Sequence, residues 1–245
     1  MFLAACAAGI SFPNAKLYPN DKRSETVPGL LAKPEGKGPF PAVVLLTTRG
    51  GMKSHVTDDW PSYLNGLGYV ALTAGSLGAR GYSKCTRRNF MAKNYHGNTK
   101  DAYGALDYLA AQPFVDKNKI AVMGFSMGAA AINNELVSRR FREKSGLDFK
   151  AAIALYGYCY SMRSGSVPLL EILAEKDDLA TACLTNAKGE FGVKVHLIPG
   201  AYHAFDSLEG SGREDLYGNY MLYDANGMAM AKEFTKAFLK KHFGE

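Results

Sequence analysis

The apolar positions of this chain come in short runs set between Gly- and Pro-rich turns, with stretches of helical spacing between the runs. Residues 41–46 (PAVVLL), 69–73 (YVALT), 120–123 (IAVM), 151–156 (AAIALY) and 167–174 (VPLLEILA) are the clearest, and 193–198 (VKVHLI) is a mixed one. A strand covered on both faces needs apolar side chains on both, so continuous rather than alternating runs predict a buried, mostly parallel sheet. The intervening segments have helical spacing. Residues 59–67 place Trp60, Tyr63, Leu64 and Leu67 on one side, with Pro61 in the first turn. Residues 99–112 repeat Ala102, Ala105, Leu106 and Leu109, and Pro113 lies just beyond their end. Residues 226–242 align Met230, Phe234, Ala237 and Phe238. Ahead of the first buried run, residues 17–33 read as a short antiparallel lead-in, with Pro28-Gly29 as its turn and 29–33 as a strand; 34–39 is a loop by composition. Strands that alternate with helices predict one α/β domain with helices on both faces of the sheet.

One junction carries chemistry. The run 120–123 leads into Gly124-Phe-Ser126-Met-Gly128, followed by three alanines and a helix-favouring stretch to residue 137. This G-x-S-x-G spacing between strand and helix is a nucleophile elbow, a sharp turn that lifts a serine hydroxyl above the sheet. Glycines are needed where the two backbones come close, and the amides that follow the serine face outward at a helix N-terminus. A serine hydroxyl is a weak nucleophile until a base takes its proton. In this fold the partners follow in the order Ser, Asp or Glu, His. Of five histidines, His55 and His96 precede the serine, His196 lies in a predicted strand and His242 in the basic terminal helix. His203 remains, in the loop after the last strand run. The acid is expected at the end of run 167–174, where Glu175, Asp177 and Asp178 stand together, and spacing barely separates the two aspartates.

Composition narrows the classes. A chain of 245 residues fits a single domain. The net charge of +6 comes from scattered residues, and the densest basic cluster, 84–88, lacks interleaved aromatics, so a nucleic-acid partner is not expected. No apolar run approaches the roughly 20 residues of a membrane span. Residues 1–12 are set apart from the domain, which is taken as 13–245. Leu3-Ala-Ala-Cys6 resembles a bacterial lipoprotein cleavage box, so one reading is a signal remnant with a lipid anchor on Cys6 and export to the periplasm. The other is a frayed terminus or first strand of a cytoplasmic protein. Cys6, Cys85, Cys159 and Cys183 lack metal-ligand spacing; in an exported protein two of the last three would pair, and in the cytosol they would be free thiols.

These stretches together resemble the dienelactone hydrolase family of α/β-hydrolases over roughly residues 20–243. The likeness rests on PAVVLL at 41–46, Gly78-Ala-Arg-Gly81, ALDYLAAQPFVD at 105–116, VMGFSMG at 122–128, AEKDD at 174–178 and PGAYHAFD at 199–206. The resemblance implies an α/β-hydrolase fold and favours Asp177 over Asp178 as the acid. It also implies an oxyanion hole made by the amide of Met127 and one from the loop after run 41–46, assigned here to Arg49. The family's namesakes use a cysteine nucleophile, whereas position 126 is serine, as in relatives that look like general carboxylesterases. Many relatives also carry His-Gly where this chain has Thr47-Thr48. The expected activity is hydrolysis of a small-molecule carboxylic ester or lactone by a monomer or homodimer, with no metal or organic cofactor because the triad supplies its own base. An amidase or peptidase with the same triad ranks second, as there is no spare length for an access-limiting domain. A non-catalytic binding protein ranks third, because it has little need of all three triad members. Substrate contacts are expected from loops 47–51, 76–88 and 156–163. Candidates are Thr47 and Thr48, Arg80 and Arg163 for an anionic group, and Tyr156, with Tyr158 and Tyr160, as walls or as strand-end packing.

Overall fold

A computed structural model describes residues 7–17, 20–21, 24–86, 93–137, 147–160, 167–187, 192–215 and 218–245. Its centre is an eight-stranded sheet. The strands are β1 (Ala8–Pro13), β2 (Thr26–Ala32), β3 (Phe40–Leu46), β4 (Val70–Ala74), β5 (Val115–Phe125), β6 (Ala151–Leu155), β7 (Leu169–Ala174) and β8 (Val193–Ile198). Their order is β1-β2-β4-β3-β5-β6-β7-β8; from β4 to β8 all neighbours are parallel, and β1 and β2 are antiparallel additions at one edge. The helices are α1 (Trp60–Gly66), α2 (Lys93–Ala110), α3 (Met127–Ala131), α4 (Ala180–Ala187) and α5 (Ala225–Phe243). Wider single turns flank two of them, at His55–Asp59 before α1 and Ile132–Leu136 after α3. A two-stranded ribbon pairs β9 (Arg213–Glu214) with β10 (Tyr220–Met221). Among the described residues no helix is long and apolar enough to cross a membrane.

The continuous apolar runs mean what their composition predicts. In β3, Val44 and Leu46 join a core on one face with Leu106, Leu109 and Ile132, while Val43 and Leu45 join a core on the other with Trp60, Phe238 and Leu239. Side chains alternate across a strand, so a run apolar at every position feeds both layers. α5 is closed at both ends. The Asp224 side chain accepts from the Asn226 amide at its start, Gly244 ends it at φ +73°, and Lys240 and Lys241 oppose the negative end of its dipole.

Two expectations about the N-terminal region are corrected. Residues 8–12, set apart on sequence grounds, form most of β1, the first-strand alternative; Cys6 and its cleavage box lie outside the described residues. Pro28-Gly29 is not a turn but the middle of β2. Pro28 sits opposite Ser11 of β1 and beyond the end of β4, so its missing N–H costs no ladder bond there, and its carbonyl accepts from Gly75 at 2.7 Å. Gly29 is wedged between Phe12 and Leu72, where a Cβ would meet atoms at 3.1–3.2 Å.

The Cys159–Cys183 disulfide joins the segment after β6 to α4, and Cys85 is buried outside it. Beside the disulfide, Glu171 of β7 is fully buried, and neither carboxyl oxygen meets a donor among the described residues. The nearby Asn133 amide donates instead to Cys159 Sγ at 3.0 Å. Burial pushes the Glu171 carboxyl well above its ordinary value. The folded state therefore holds this proton over a pH range in which the unfolded chain has released it. Stability falls there with rising pH, by up to about 1.4 kcal/mol per pH unit at 25 °C. Glu171→Gln is expected to raise Tm more at pH 8 than at pH 5; an equal shift at both would show that Glu171 is not the cause.

Candidate active site

Ser126 occupies the single residue between β5 and α3. Its φ of +50° lies in the left-handed region, unusual for any residue but glycine. The flanking glycines explain the motif. A Cβ on Gly124 would come within 2.5 Å of the Gly128 carbonyl carbon, and one on Gly128 within 2.4 Å of the Leu46 carbonyl oxygen. The strand, the helix and β3 are thus packed too closely for side chains at those two positions.

His203 follows β8 and is 2% exposed. Its Nε2 lies 3.1 Å from Ser126 Oγ, and its Nδ1 lies 2.6 Å from Asp177 Oδ2. A proton on Nδ1, shared with the carboxylate, leaves the Nε2 lone pair directed at the serine hydroxyl. Asp177 ends the turn after β7, where its second oxygen accepts from the Leu179 amide at 3.1 Å. Asp178 points elsewhere, into a cavity it shares with Ser126 and Met127. The other histidines have occupations of their own. His55 packs edge-on against Phe125, His96 pairs with Glu135 at 2.6 Å, His196 stacks on Phe234 and His242 packs on Phe238.

Behind His203 is a group that the sequence did not single out. Asp206 is 1% exposed, and both of its oxygens are used: Tyr156 Oη donates to one at 2.6 Å and Trp60 Nε1 to the other at 2.8 Å. Burial, then the Asp206 charge, pushes the Tyr156 phenol well above its ordinary value, so it stays a donor. Its ring meets His203 edge-on at 5.1 Å. Of the two readings of Tyr156, wall or strand-end packing, the structure shows the second: it is 1% exposed and props the imidazole from behind. Its φ is +41° and that of Ala204 is +51°; with Ser126 these are the described non-glycine residues at positive φ, and all lie at this site. Backbone strain of this kind persists only where the surroundings over-determine it, as at a functional site.

The loop after β3 behaves unevenly. Thr48 lines the His203 side of the site, and its hydroxyl accepts from the Gly50 amide at 3.0 Å. Thr47 is fully buried and lines a separate glycine-walled hollow next to Gly29, Gly50 and Gly75, so it does not border Ser126. Arg49 borders Ser126 on both sides; its carbonyl accepts from the Cys85 amide at 2.8 Å and its guanidinium is bonded to Asp215.

Arg80 is a further correction. Its guanidinium makes two bonds to Asp101, at 2.7 and 3.1 Å, one to Glu25 at 2.8 Å and one to the Ser76 carbonyl at 2.6 Å. It ties α2 to the edge of the sheet rather than facing a ligand. Burial pushes the Asp101 carboxyl up, and the hydrogen bond and charge of Arg80 pull it back. Arg80→Ala is expected to destabilise the fold by about 3–5 kcal/mol by stranding a buried carboxylate. A denaturant titration checks this, and a change in KM confined to acidic esters would restore the ligand role. Arg163 lies outside the described residues.

Ser126 opens onto two cavities. One, of about 290 Å³, includes His203, Ser207 and Thr48; the other, of about 430 Å³, includes Met127, Ala130 and Tyr158. The elbow thus sets a serine hydroxyl beside a histidine that is itself bonded to an aspartate, with a cavity on either side.

The family model for dienelactone hydrolases matches residues 27–243. Solved structures agree on the fold. The dienelactone hydrolase-like promiscuous phosphotriesterase P91, from metagenomic libraries, superposes with a TM-score of 0.69 at 20% identity, covering 96% of this chain and 98% of that one. The Thermogutta terrifontis esterase Est2 does so at 0.66 and 17%, covering 96% and 94%. A dienelactone hydrolase-like protein from Klebsiella pneumoniae does so at 0.62 and 17%, covering 95% and 98%. No curated protein matches the sequence.

Proposed function

Since this chain belongs to the dienelactone hydrolase family, we propose that it is a serine hydrolase that cleaves a carboxylic ester or lactone through Ser126, His203 and Asp177. The observation that carries the reading is the unbroken relay from Ser126 Oγ to His203 Nε2 at 3.1 Å and from His203 Nδ1 to Asp177 Oδ2 at 2.6 Å. Ser126 Oγ attacks the ester carbonyl carbon as His203 Nε2 takes its proton. The carbonyl oxygen becomes an oxyanion, received by the Met127 amide and by the Arg49 amide from the loop after β3. Each such donor is worth about 3 kcal/mol in serine hydrolases of other folds. The tetrahedral intermediate collapses and expels the alcohol, which leaves with the proton from His203. Water, deprotonated in turn by His203, cleaves the acyl-enzyme and frees Ser126.

The test is covalent. Intact-mass measurement after exposure to a fluorophosphonate is expected to show one adduct per chain, located on Ser126 by peptide mapping. Folded protein that takes up no label would remove the basis for the reading. Esters should be hydrolysed far faster than matched amides; comparable rates would favour the amidase alternative.

A further inference from the structure

The two cavities at Ser126 are not equivalent, and the proton route tells them apart. His203 must reach the oxygen of the leaving alcohol, so the alcohol lies on the side that His203 borders. That is the cavity of about 290 Å³; the cavity of about 430 Å³ has Ser126 and Met127 on its wall but not His203, and so receives the acyl group. This assignment rests on the serine-hydrolase reading above.

The acyl cavity is walled by Tyr95, Tyr158 and Tyr160 with Met127 and Leu179. Tyr160 is 71% exposed, and its ring meets that of Tyr158 edge-on at 4.5 Å. Core packing does not account for a ring so exposed. The backbone beneath these rings is nevertheless held from three directions. The Asn134 side chain donates to the Tyr158 carbonyl at 2.8 Å and accepts from the Tyr160 amide at 2.7 Å. The Asn186 side chain donates to the Cys159 carbonyl at 2.8 Å, and Cys159 is bonded to Cys183. Tyrosines held on a fixed backbone present flat, partly wet faces with little entropy left to lose, which suits a planar π-system more than a flexible chain.

We propose that this cavity selects a planar aromatic acyl group, so that the substrates are esters of arenecarboxylic or arylalkenoic acids with a smaller alcohol. The experiment holds the alcohol constant. Ethyl esters of acetic, hexanoic, cyclohexanecarboxylic, benzoic and 3-phenylpropenoic acids are assayed on wild type, Tyr158→Leu, Tyr160→Ala and the double variant. Each variant is compared with wild type on the same ester, which cancels intrinsic reactivity. In the double variant kcat/KM for the two aromatic esters, relative to acetate, is expected to fall about 10-fold, as for the loss of two aromatic contacts. Tyr158→Phe should retain the preference. Equal losses on cyclohexanecarboxylate and benzoate, or no loss on either, would overturn the proposal. Fluorophosphonate labelling separates the two levels. Variants that label at the wild-type rate with no aromatic preference to lose refute the pocket alone, whereas wild type that does not label refutes the hydrolase reading and the pocket with it.

Discussion

Replacing Ser126 with alanine is expected to lower kcat by about a million-fold, to the residual rate given by binding and the oxyanion donors alone. The loss is so large because the serine is the only atom source for the acyl-enzyme; with Oγ gone, the 3.1 Å contact with His203 has no proton to transfer. Stability should barely change. Removing Oγ leaves the Ser126 amide bonded to the Leu155 carbonyl at 3.0 Å and its carbonyl accepting from the Ala130 amide at 2.8 Å, so the elbow keeps its backbone ties. Steady-state kinetics on an activated ester, paired with a thermal melt, separate the two effects. An intact melt with a rate near wild type would place the chemistry elsewhere.

The second large effect is expected at Asp177. Asp177→Asn should lower kcat by about 10⁴-fold with little change in KM. An amide at this position offers N–H to His203 Nδ1 and favours the tautomer whose proton sits on Nε2, where it can no longer accept from serine. The neighbouring substitution is the control. Asp178→Asn leaves the 2.6 Å contact between Asp177 and His203 untouched, so any effect should fall on KM, through the cavity that Asp178 lines, rather than on kcat. A reversal of the two results would mean that the turn after β7 exchanges its aspartates in solution. The pair of variants thus tests the choice that spacing alone left open.

How far the sequence could be read depended on whether the controlling contacts were local. The elbow was legible because its signature is local: Gly124 is required by the backbone of Gly128 four residues on, and the spacing announces the turn even though Gly128 itself is required by Leu46 of the distant strand β3. His203 was reached by elimination; of the histidines set aside, His96, His196 and His242 contact Glu135, Phe234 and Phe238, whereas His55 packs on Phe125 and also lines the smaller cavity at Ser126. Arg80 was misread because its partners, Glu25 and Asp101, lie 55 and 21 residues away, and nothing near a lone arginine announces a distant carboxylate. Asp206 was missed for the same reason. It is only three residues past His203, yet its donors Tyr156 and Trp60 stand 50 and 146 residues off. Pro28-Gly29 was read as a turn from its dipeptide, but tertiary pairing outweighed that local preference once β1 and β4 flanked the segment.

The positive backbone angles at Tyr156 and Ala204 have an evolutionary side. Glycine would occupy the Ala204 conformation with less strain, whereas at Tyr156 it would empty a buried site and strand Asp206, so natural variation that keeps alanine at 204 would report selection on the base rather than on the fold. The same preference sets a hazard for engineering. A library sorted only for heat tolerance would be drawn toward glycine at position 204, and it would return sturdy proteins with a loosened imidazole. Thermostable descendants of this chain should therefore be screened on turnover from the first round.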